Sequence, residues 1–377
     1  MSLRLHIVSF NVPLPADYGG VIDVFYRLRT LSHMGVEVEL HCFDYGRGVV
    51  PELERYCTAV HYYKRRTGLR SAIGRRPYIV QSRDCKALVE DLRKDNAPIL
   101  LEGLHCCAVL EVLTDRGGRR IFVRAHNVEH DYYEGLARAE RSLWRRLYYR
   151  LEARRLRAYE PVLRRADAVL AITKADAEHF VEMGCREVVL MPASHPFDEV
   201  TSLAGQGDYA LYHADLSVAE NEQAVLYLAD TLFERSDYRF VVAGRCPSHR
   251  LKHRLVALPN VELVETPDER RMQELIANAQ VLLLVTAQAT GLKLKLLNSL
   301  YVGRHCLVNS MMIAGTTLAG LCHVADSPES QRAMLDTLMH TPFTEEEVQR
   351  RRTLLSSAYS NEANTKQLVD LLAASTS

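Results

Sequence analysis

Short apolar runs bounded by turn residues alternate along the chain with longer segments in which apolar residues recur at helical spacing. Such runs are typical of buried strands, and their alternation with helices predicts parallel sheets made of βα units. Seven runs come before residue 200 and six after it, so we predict two doubly wound α/β sheets. The predicted strands are residues 5–10, 36–40, 59–63, 99–101, 121–123, 168–172, 188–191, 210–213, 240–243, 261–264, 281–285, 306–308 and 323–325.

Two polar stretches containing glycine or proline, residues 192–198 and 202–208, separate the two sets of strands. This composition is typical of linkers between domains. We therefore predict two Rossmann-like domains, residues 1–198 and 199–377, facing each other across a cleft. Whether the last helix packs back on the first domain is left open. Ligands of open α/β sheets bind at the carboxyl ends of the strands, so candidate chemistry is expected there.

The chain carries 47 Lys and Arg residues against 47 Asp and Glu residues. This balance argues against a protein that coats nucleic acid, and we expect no nucleic-acid partner. The charges are uneven along the chain, because residues 116–165 contain fourteen arginines, no lysine and only six acidic residues. The neutral sum therefore conceals a basic segment in the first half of the chain.

The nine cysteines include no C-x-x-C pair, which favours reduced thiols in a cytosolic compartment over a zinc or redox site. The apolar run at the N-terminus is too short for a secretory leader. The longest apolar run, Val281 to Val285, has the length of a strand, whereas a membrane span needs about 20 residues. We expect a cytoplasmic protein that contacts a membrane, if at all, from the surface.

Paired glycines, Gly19 and Gly20, follow the first predicted strand and precede a helix that ends near Gly35. Glycines at such a position let backbone N–H groups approach an anionic or sugar group at the positive end of the helix. A tight turn into the helix is the alternative interpretation. The spacing is not the G-x-G-x-x-G of a nicotinamide site.

Polar residues are dense after the fifth predicted strand, where Arg124, His126, Asn127, Glu129 and His130 lie within seven positions. This density at one strand end indicates a functional site. The string from His126 to His130 also fits H-x-x-E-H, which binds zinc when both histidines share a helix face. Because His126 follows the strand directly, the pair would not share that face, and zinc remains a remote alternative.

Residues 138–165 are predicted to form one long basic helix with an apolar stripe. Two interpretations stay open: the helix docks on an anionic membrane surface, or it packs on the core with a solvated basic face. The stripe consists of Leu143, Trp144, Leu147, Tyr148, Leu151, Tyr159 and Leu163.

Two features of the second half indicate a phosphate site. Arg245 follows a glycine turn after a predicted strand, and a helix is predicted to begin at Gly291 with Lys293 and Lys295 in its first turn. Lysines there oppose the helix dipole unless an anion joins them. Together with the N–H groups at the helix start, they are what a pyrophosphate requires.

These segments, in this order, resemble the two-domain GT-B glycosyltransferases, closest to the family 4 type that includes mannosyl- and glucosyltransferases. The resemblance implies a nucleoside diphosphate sugar, such as GDP-mannose or a UDP-sugar, held mainly by the C-terminal domain, and a glycan or lipid-linked acceptor held mainly by the N-terminal domain. It also implies transfer with retention, and no cofactor or metal. The matching segments are 19–20 with 31–38, 124–129, 166–173, 241–244 and 291–303.

Mapped onto this sequence, the family's glycine loop falls on Gly19 and Gly20 and its catalytic-site histidine on His126. Two departures affect the donor site. The two glutamates of the family pattern are replaced by Thr290 and Asn298. An Arg and a Lys that often follow the first strand of the C-terminal domain are replaced in residues 213–221, which contain acids instead.

The leading hypothesis is a glycosyltransferase that moves a hexose to a glycan or lipid-linked acceptor, cytoplasmic or peripheral on the inner face of the cytoplasmic membrane. The alternative is a catalytically silent GT-B domain serving as a scaffold in polysaccharide assembly, and the remote alternative is a zinc hydrolase using His126 and His130. Candidate donor-binding residues are Gly19, Gly20, Arg245, Thr290, Gly291, Lys293, Lys295 and Asn298, and acceptor-side candidates are Arg124, Asn127, Glu129 and His130.

Overall fold

The computed structural model describes residues 3–68, 74–140, 142–287 and 294–374. These residues divide into two compact units, one formed by residues 3–196 and 359–374 and the other by residues 197–287 and 294–358. All thirteen predicted strands are present. The largest difference is at the second strand, which continues to Asp44 because residues 41–44 still pair with residues 61–64 of the third strand.

The first unit contains a seven-stranded sheet in which every neighbouring pair is parallel. Its strand order is β3-β2-β1-β4-β5-β6-β7. The order reverses between β1 and β4, and such a switch point is where open α/β sheets bind ligands. The strands are β1 (Arg4–Ser9), β2 (Glu37–Asp44), β3 (Ala59–Lys64), β4 (Ile99–Glu102), β5 (Ile121–Ala125), β6 (Ala168–Ala171) and β7 (Val188–Leu190).

Helices cover both faces of this sheet, which is why its strands read as nearly continuous apolar runs. The α-helices are α1 (Gly19–His33), α2 (Tyr78–Gln81), α3 (Lys86–Leu92), α4 (Val109–Val112), α5 (Glu129–Ala139), α6 (Leu143–Tyr159) and α7 (Lys174–Glu182), with 3₁₀ turns at Pro51–Arg55, Leu104–Cys106 and Glu160–Arg165.

The second unit contains a six-stranded parallel sheet of order β10-β9-β8-β11-β12-β13. Its strands are β8 (Tyr209–His213), β9 (Arg239–Gly244), β10 (Val261–Glu265), β11 (Val281–Leu284), β12 (His305–Val308) and β13 (His323–Val324). Its helices are α8 (Ala219–Leu228), α9 (His249–Val256), α10 (Glu269–Asn278), α11 (Leu294–Val302), α12 (Ser310–Ile313), α13 (Pro328–His340) and α14 (Glu345–Ala358), with a π turn at Ala229–Phe233 and a 3₁₀ turn at Leu318–Leu321.

The last helix, α15 (Asn361–Ala373), belongs to the first unit. Leu368 and Leu372 are fully buried in the same apolar cluster as Leu5 and Leu31. Each buried leucine contributes about 1.5–3 kcal/mol relative to an exposed one. The C-terminal segment is therefore an integral part of the N-terminal unit.

The prediction of one helix over residues 138–165 is wrong. α5 ends at Ala139, Glu140 is extended at φ −75° and ψ 133°, and α6 ends at Tyr159 before a 3₁₀ turn that contains Pro161. The Glu140 carboxylate accepts a hydrogen bond from the Ser142 N–H at the start of α6, and proline lacks the N–H that would continue the helix. In the described residues no helix has the length and apolarity to cross a membrane.

Candidate functional site

His126 lies at the carboxyl end of β5, one strand away from the switch point between β1 and β4, and its ring is held by two buried carboxylates. Its Nε2 is 3.0 Å from Oε2 of Glu102, which ends β4, and its Nδ1 is 3.5 Å from Oδ2 of Asp23 in α1. Asp23 and Glu102 are almost completely buried. The ring orientation is therefore fixed from both sides, by residues far apart in the sequence.

Two buried arginines neutralise these carboxylates. Arg27 contacts Asp23 and Glu102 at 3.0 Å, and Arg124 donates from Nε to Asp23 at 2.9 Å. Burial alone would raise the pKa of Asp23, but Arg124 and Arg27 hold it well below its usual value. Asp23 therefore stays ionised, and a buried charge network of this kind is costly to break at any one member.

Arg124 was expected on the acceptor side, but its guanidinium is completely buried inside the unit. Besides Asp23, it donates to the backbone oxygens of Met191 and Pro192. Asp23 also accepts a hydrogen bond from the Ser194 N–H at 2.7 Å. We therefore assign Arg124 a positioning role: it ties the end of β5 to the segment after β7.

Gly19 and Gly20 begin α1, which has no side-chain cap at its N-terminus. A Cβ atom at Gly20 would lie 2.7 Å from Cζ of Phe10, so the close approach of helix and ring requires glycine. The Phe10 ring in turn lies 5.4 Å from the His126 ring and 5.2 Å from the His105 ring. Gly20, Phe10 and His126 are therefore neighbours in one contiguous region.

Glu129, the first residue of α5, is buried beside this site. Burial and the nearby Glu160 raise its pKa to about 8. Its Oε1 is 4.0 Å from Nδ1 of His105, a nitrogen that is itself buried without a hydrogen-bond partner in the described part of the chain. A carboxyl group with this pKa can take up or release a proton near neutral pH.

His130 lies apart from His126. Its Nδ1 is 3.2 Å from Glu160, which also contacts Nε2 of His179 at 2.9 Å. Burial lowers the pKa of His130, but Glu160 outweighs it and the net shift is upward. The structure therefore places the two histidines of the H-x-x-E-H string in separate clusters, because β5 ends before α5 begins.

Asn127 is half-buried and makes no side-chain hydrogen bond within the described ranges.

Lys295, in the first turn of α11, reaches the carboxyl end of β8 in the second unit. Its Nζ is 3.3 Å from the hydroxyl of Tyr212 and 3.3 Å from Oδ1 of Asn221, and it lies 5.0 Å from the centre of the Tyr212 ring. Asn221 is in α8. The pKa of the neighbouring His213 is lowered to about 3, mainly by burial and in second place by the positive charge of Lys295. Three predicted donor residues, Thr290, Gly291 and Lys293, lie outside the described residues.

Two more of the predicted donor residues, Arg245 and Asn298, are described in the second unit. Arg245 follows β9 and forms a 2.9 Å ion pair with Asp215, which follows β8. Asn298 is half-buried, and its Oδ1 has no hydrogen-bond partner among residues 294–374 or elsewhere in the described chain. Glu220 accepts a hydrogen bond from the Ala287 N–H at 3.0 Å and so holds the loop after β11.

Sequence reasoning missed a cavity of about 420 Å³ at the carboxyl end of the second sheet. Its walls come from α8 and from the segments that follow β11, β12 and β13, and its volume is within the range of small-molecule sites. The residues that line this cavity come from segments far apart in the sequence, so no local sequence pattern indicated it. The lining residues include Glu220, Tyr227, Thr286, Asn309, Asp326 and Gln331.

No protein-family model matches the chain. One relative, described as an "Uncharacterized 44.6 kDa protein in cps region" of Klebsiella pneumoniae, is 23% identical over 333 residues, which cover 84% of this chain and 83% of that protein.

Similar solved structures cover nearly the whole chain. A glycosyltransferase from Rickettsia africae ESF-5 has a TM-score of 0.65 at 10% identity, covering 100% of this chain and 99% of its own. HepE of Anabaena, in complex with UDP and glucose, has a TM-score of 0.65 at 11% identity, and the match covers 99% of this chain and 100% of the HepE chain. The N-terminal domain of Candida albicans trehalose-6-phosphate phosphatase has a TM-score of 0.64 at 11% identity, and the match covers 99% of this chain and 97% of that domain's chain. Identities this low establish the fold alone: the chain has the GT-B fold, with two doubly wound α/β units.

Proposed function

We propose that the protein is a glycosyltransferase that moves a hexose from a nucleoside diphosphate sugar to a glycan or lipid-linked acceptor. The observation that carries the proposal is the position of Lys295. Its ammonium group lies beside Asn221, in the stretch 213–221 where the resembled glycosyltransferases carry an Arg and a Lys. Here the cation comes from α11 instead of α8, and it lies at the carboxyl end of β8.

A cation at this position suits the chemistry of a leaving nucleoside diphosphate. Negative charge grows on its β-phosphate as the sugar is transferred, and a preorganised ammonium group stabilises that charge. Thr290, Gly291 and Lys293, which lie outside the described residues, remain donor-site candidates from the sequence, and Arg245 is a further candidate at the end of β9. The cavity beside Glu220 and Thr286 offers a place for the nucleoside.

In the first unit, we assign His126 to contact with the transferred sugar. Both of its ring nitrogens face carboxylates, which hold the ring in one orientation. Glu129, with its pKa of about 8, is the better group to exchange a proton with an acceptor hydroxyl. Following the family resemblance, we propose that transfer proceeds with retention and without a metal.

We further propose that α6 docks on an anionic membrane surface, which favours a lipid-linked acceptor. In α6, the side chains of Glu152, Ala153 and Leu156 are buried. The apolar residues on the opposite side are exposed, and the exposed fractions of Trp144 and Leu143 are 83% and 75%. Six arginines and a single acid, the buried Glu152, lie in this helix. An exposed apolar stripe flanked by arginines is the composition of interfacial helices. The exposed part of the predicted stripe comprises Leu143, Trp144, Leu147, Tyr148 and Leu151, whereas Leu163 is buried.

A silent scaffold is the second candidate. Thr290 and Asn298 replace the two glutamates of the family pattern, and a fold does not determine an activity. A panel of nucleoside diphosphate sugars separates the candidates. An enzyme is stabilised by one donor in thermal shift, because a bound ligand stabilises the fold, and releases nucleoside diphosphate from it. A scaffold releases none.

A further inference from the structure

Three histidines and a glutamate converge on one face of the first sheet, away from the strand ends that hold the candidate site. His6 in β1 is paired in register with Glu39 in β2, and His41 in β2 is paired with His61 in β3. Because side chains two apart on a strand point to the same face, Glu39 and His41 are neighbours. The sheet register therefore places all four side chains together.

Their donor atoms lie at distances that suit a metal ion. Nδ1 of His6 is 3.0 Å from Nε2 of His41 and 3.9 Å from Oε2 of Glu39. Nε2 of His61 is 3.6 Å from the same Glu39 oxygen, and the His61 ring stacks on His41 at 4.8 Å. Two ligands at 2.0–2.1 Å from a tetrahedral zinc ion are about 3.3 Å apart. The spacings from His6 to His41 and to Glu39 lie on either side of this value, and the three ligand atoms lie within 4.8 Å of one another.

In His6 and His41, the ring nitrogens that face away from each other make hydrogen bonds that determine where the protons of the two rings lie. Asp95 can only accept, so Nε2 of His6, at 2.9 Å, carries a proton. Tyr63 donates its single proton to Asp91 at 2.5 Å, so its oxygen accepts from Nδ1 of His41 at 2.9 Å. In the neutral rings, the two nitrogens that face each other at 3.0 Å therefore both present lone pairs. A cation between them, either a metal ion or a proton, satisfies this arrangement.

The surrounding charges hold the carboxylates in place. Arg4 binds the other Glu39 oxygen at 2.9 Å and Asp95 at 3.2 Å, which leaves Oε2 of Glu39 directed at the histidine rings. Arg119 lies 3.6 Å from Asp95, and Lys94 binds Asp91 at 2.7 Å. Histidine ligands of metals typically donate their remaining N–H to a carboxylate or another oxygen, as His6 and His41 do here.

We propose that His6, His41 and Glu39 bind a divalent transition-metal ion of the zinc type, with His61, which already contacts Glu39, turning in as the fourth ligand. Imidazole and carboxylate are ligands that zinc accepts in a tetrahedral site. The ion would join β1, β2 and β3 and take no part in the proposed transfer reaction. Glu39 and His61 are partly exposed, so an ion can reach the site from solvent.

The test is metal binding by the full chain after treatment with a chelator. Titration with Zn²⁺ in a calorimeter, and with Co²⁺ while recording its visible absorption, should give one ion per chain and the intense bands of a tetrahedral cobalt site. Glu39→Gln and His61→Ala should each weaken binding at least tenfold. The matched control is His179→Ala, because His179 has a similar exposure, 32% against 35%, and also contacts a glutamate. This control should bind normally.

Three results would overturn the proposal. The first is no stoichiometric binding by the wild-type chain. The second is binding that His179→Ala removes and His61→Ala leaves intact, which would place the ion at the His130–Glu160–His179 cluster. The third is a nitrogen-15 spectrum in excess Zn²⁺ at alkaline pH in which His6 carries protons on both nitrogens. That spectrum would identify the cation as a proton.

Discussion

Lys295 lies with its ammonium nitrogen 3.3 Å from the side-chain oxygen of Asn221, across the carboxyl end of β8. The two residues are 74 positions apart and belong to different helices. Their contact means that the chain carries a cation at the strand end even though the segment after β8 lacks one. The donor site that we propose depends on this relationship.

Replacing Lys295 by alanine should weaken nucleoside diphosphate binding by about 10- to 100-fold, because a hydrogen bond to a charged group contributes about 1.5–3 kcal/mol. Calorimetry with the free diphosphate measures this directly. Lys252→Ala is the control, since Lys252 lies in the same unit and is engaged by Glu265. Equal affinities for the two variants would remove Lys295 from the donor site.

Glu129 should make the protein less stable as the pH rises. Its pKa in the folded state is about 8, above the usual value of 4.5, so the folded chain holds a proton that the unfolded chain releases. Its contribution to stability is full below pH 4.5 and is lost as the pH rises to 8. Glu129→Gln should abolish this loss and be more stable than wild type at pH 8 by up to ~4 kcal/mol.

Denaturant unfolding at pH 5 and pH 8 measures this difference, with the exposed Glu178→Gln as control. If Glu129 also exchanges a proton with the acceptor, Glu129→Gln should lose the group that titrates near pH 8 in the profile of kcat. A stability difference between wild type and variant that does not change with pH would show that Glu129 ionises normally.

Gly20→Ala should impair activity through Phe10. The added Cβ would lie 2.7 Å from Cζ of Phe10, and overpacking of this kind costs about 1–3 kcal/mol. Since Phe10 contacts the His126 ring, the displaced ring should also lower kcat. The double variant with Phe10→Leu should recover stability, as measured by thermal unfolding. Unchanged stability in the single variant would mean that the helix start is looser than the structure shows.

Trp144 offers a direct probe of membrane docking because it is the one tryptophan in the chain. Vesicles containing anionic phospholipid should shift its fluorescence to the blue, whereas neutral vesicles should not, since the arginines of α6 supply the attraction. Leu147→Ser should reduce co-sedimentation with anionic vesicles. Val181→Ser, which removes an exposed apolar side chain elsewhere in the unit, should have no effect. An unshifted spectrum would contradict docking through α6.

The strands could be predicted because each is a buried apolar run between turn residues, a property of the local sequence. The partners of His126 could not, since Asp23 and Glu102 approach it only through the sheet order. The interruption at Glu140 was missed because helical spacing continues on both sides of it. Arg124 was predicted on the acceptor side from its place after β5, and its complete burial could not be predicted from the local sequence.

The most direct test of the account is nucleoside diphosphate release from a panel of nucleotide sugars, with the wild-type chain and Lys295→Ala compared in the presence of membrane lipid as acceptor source. We predict that one donor is turned over by the wild-type chain and that Lys295→Ala reduces this turnover by at least tenfold. Absence of release from every donor would contradict the proposed glycosyltransferase, and equal release by the variant would contradict the proposed donor site.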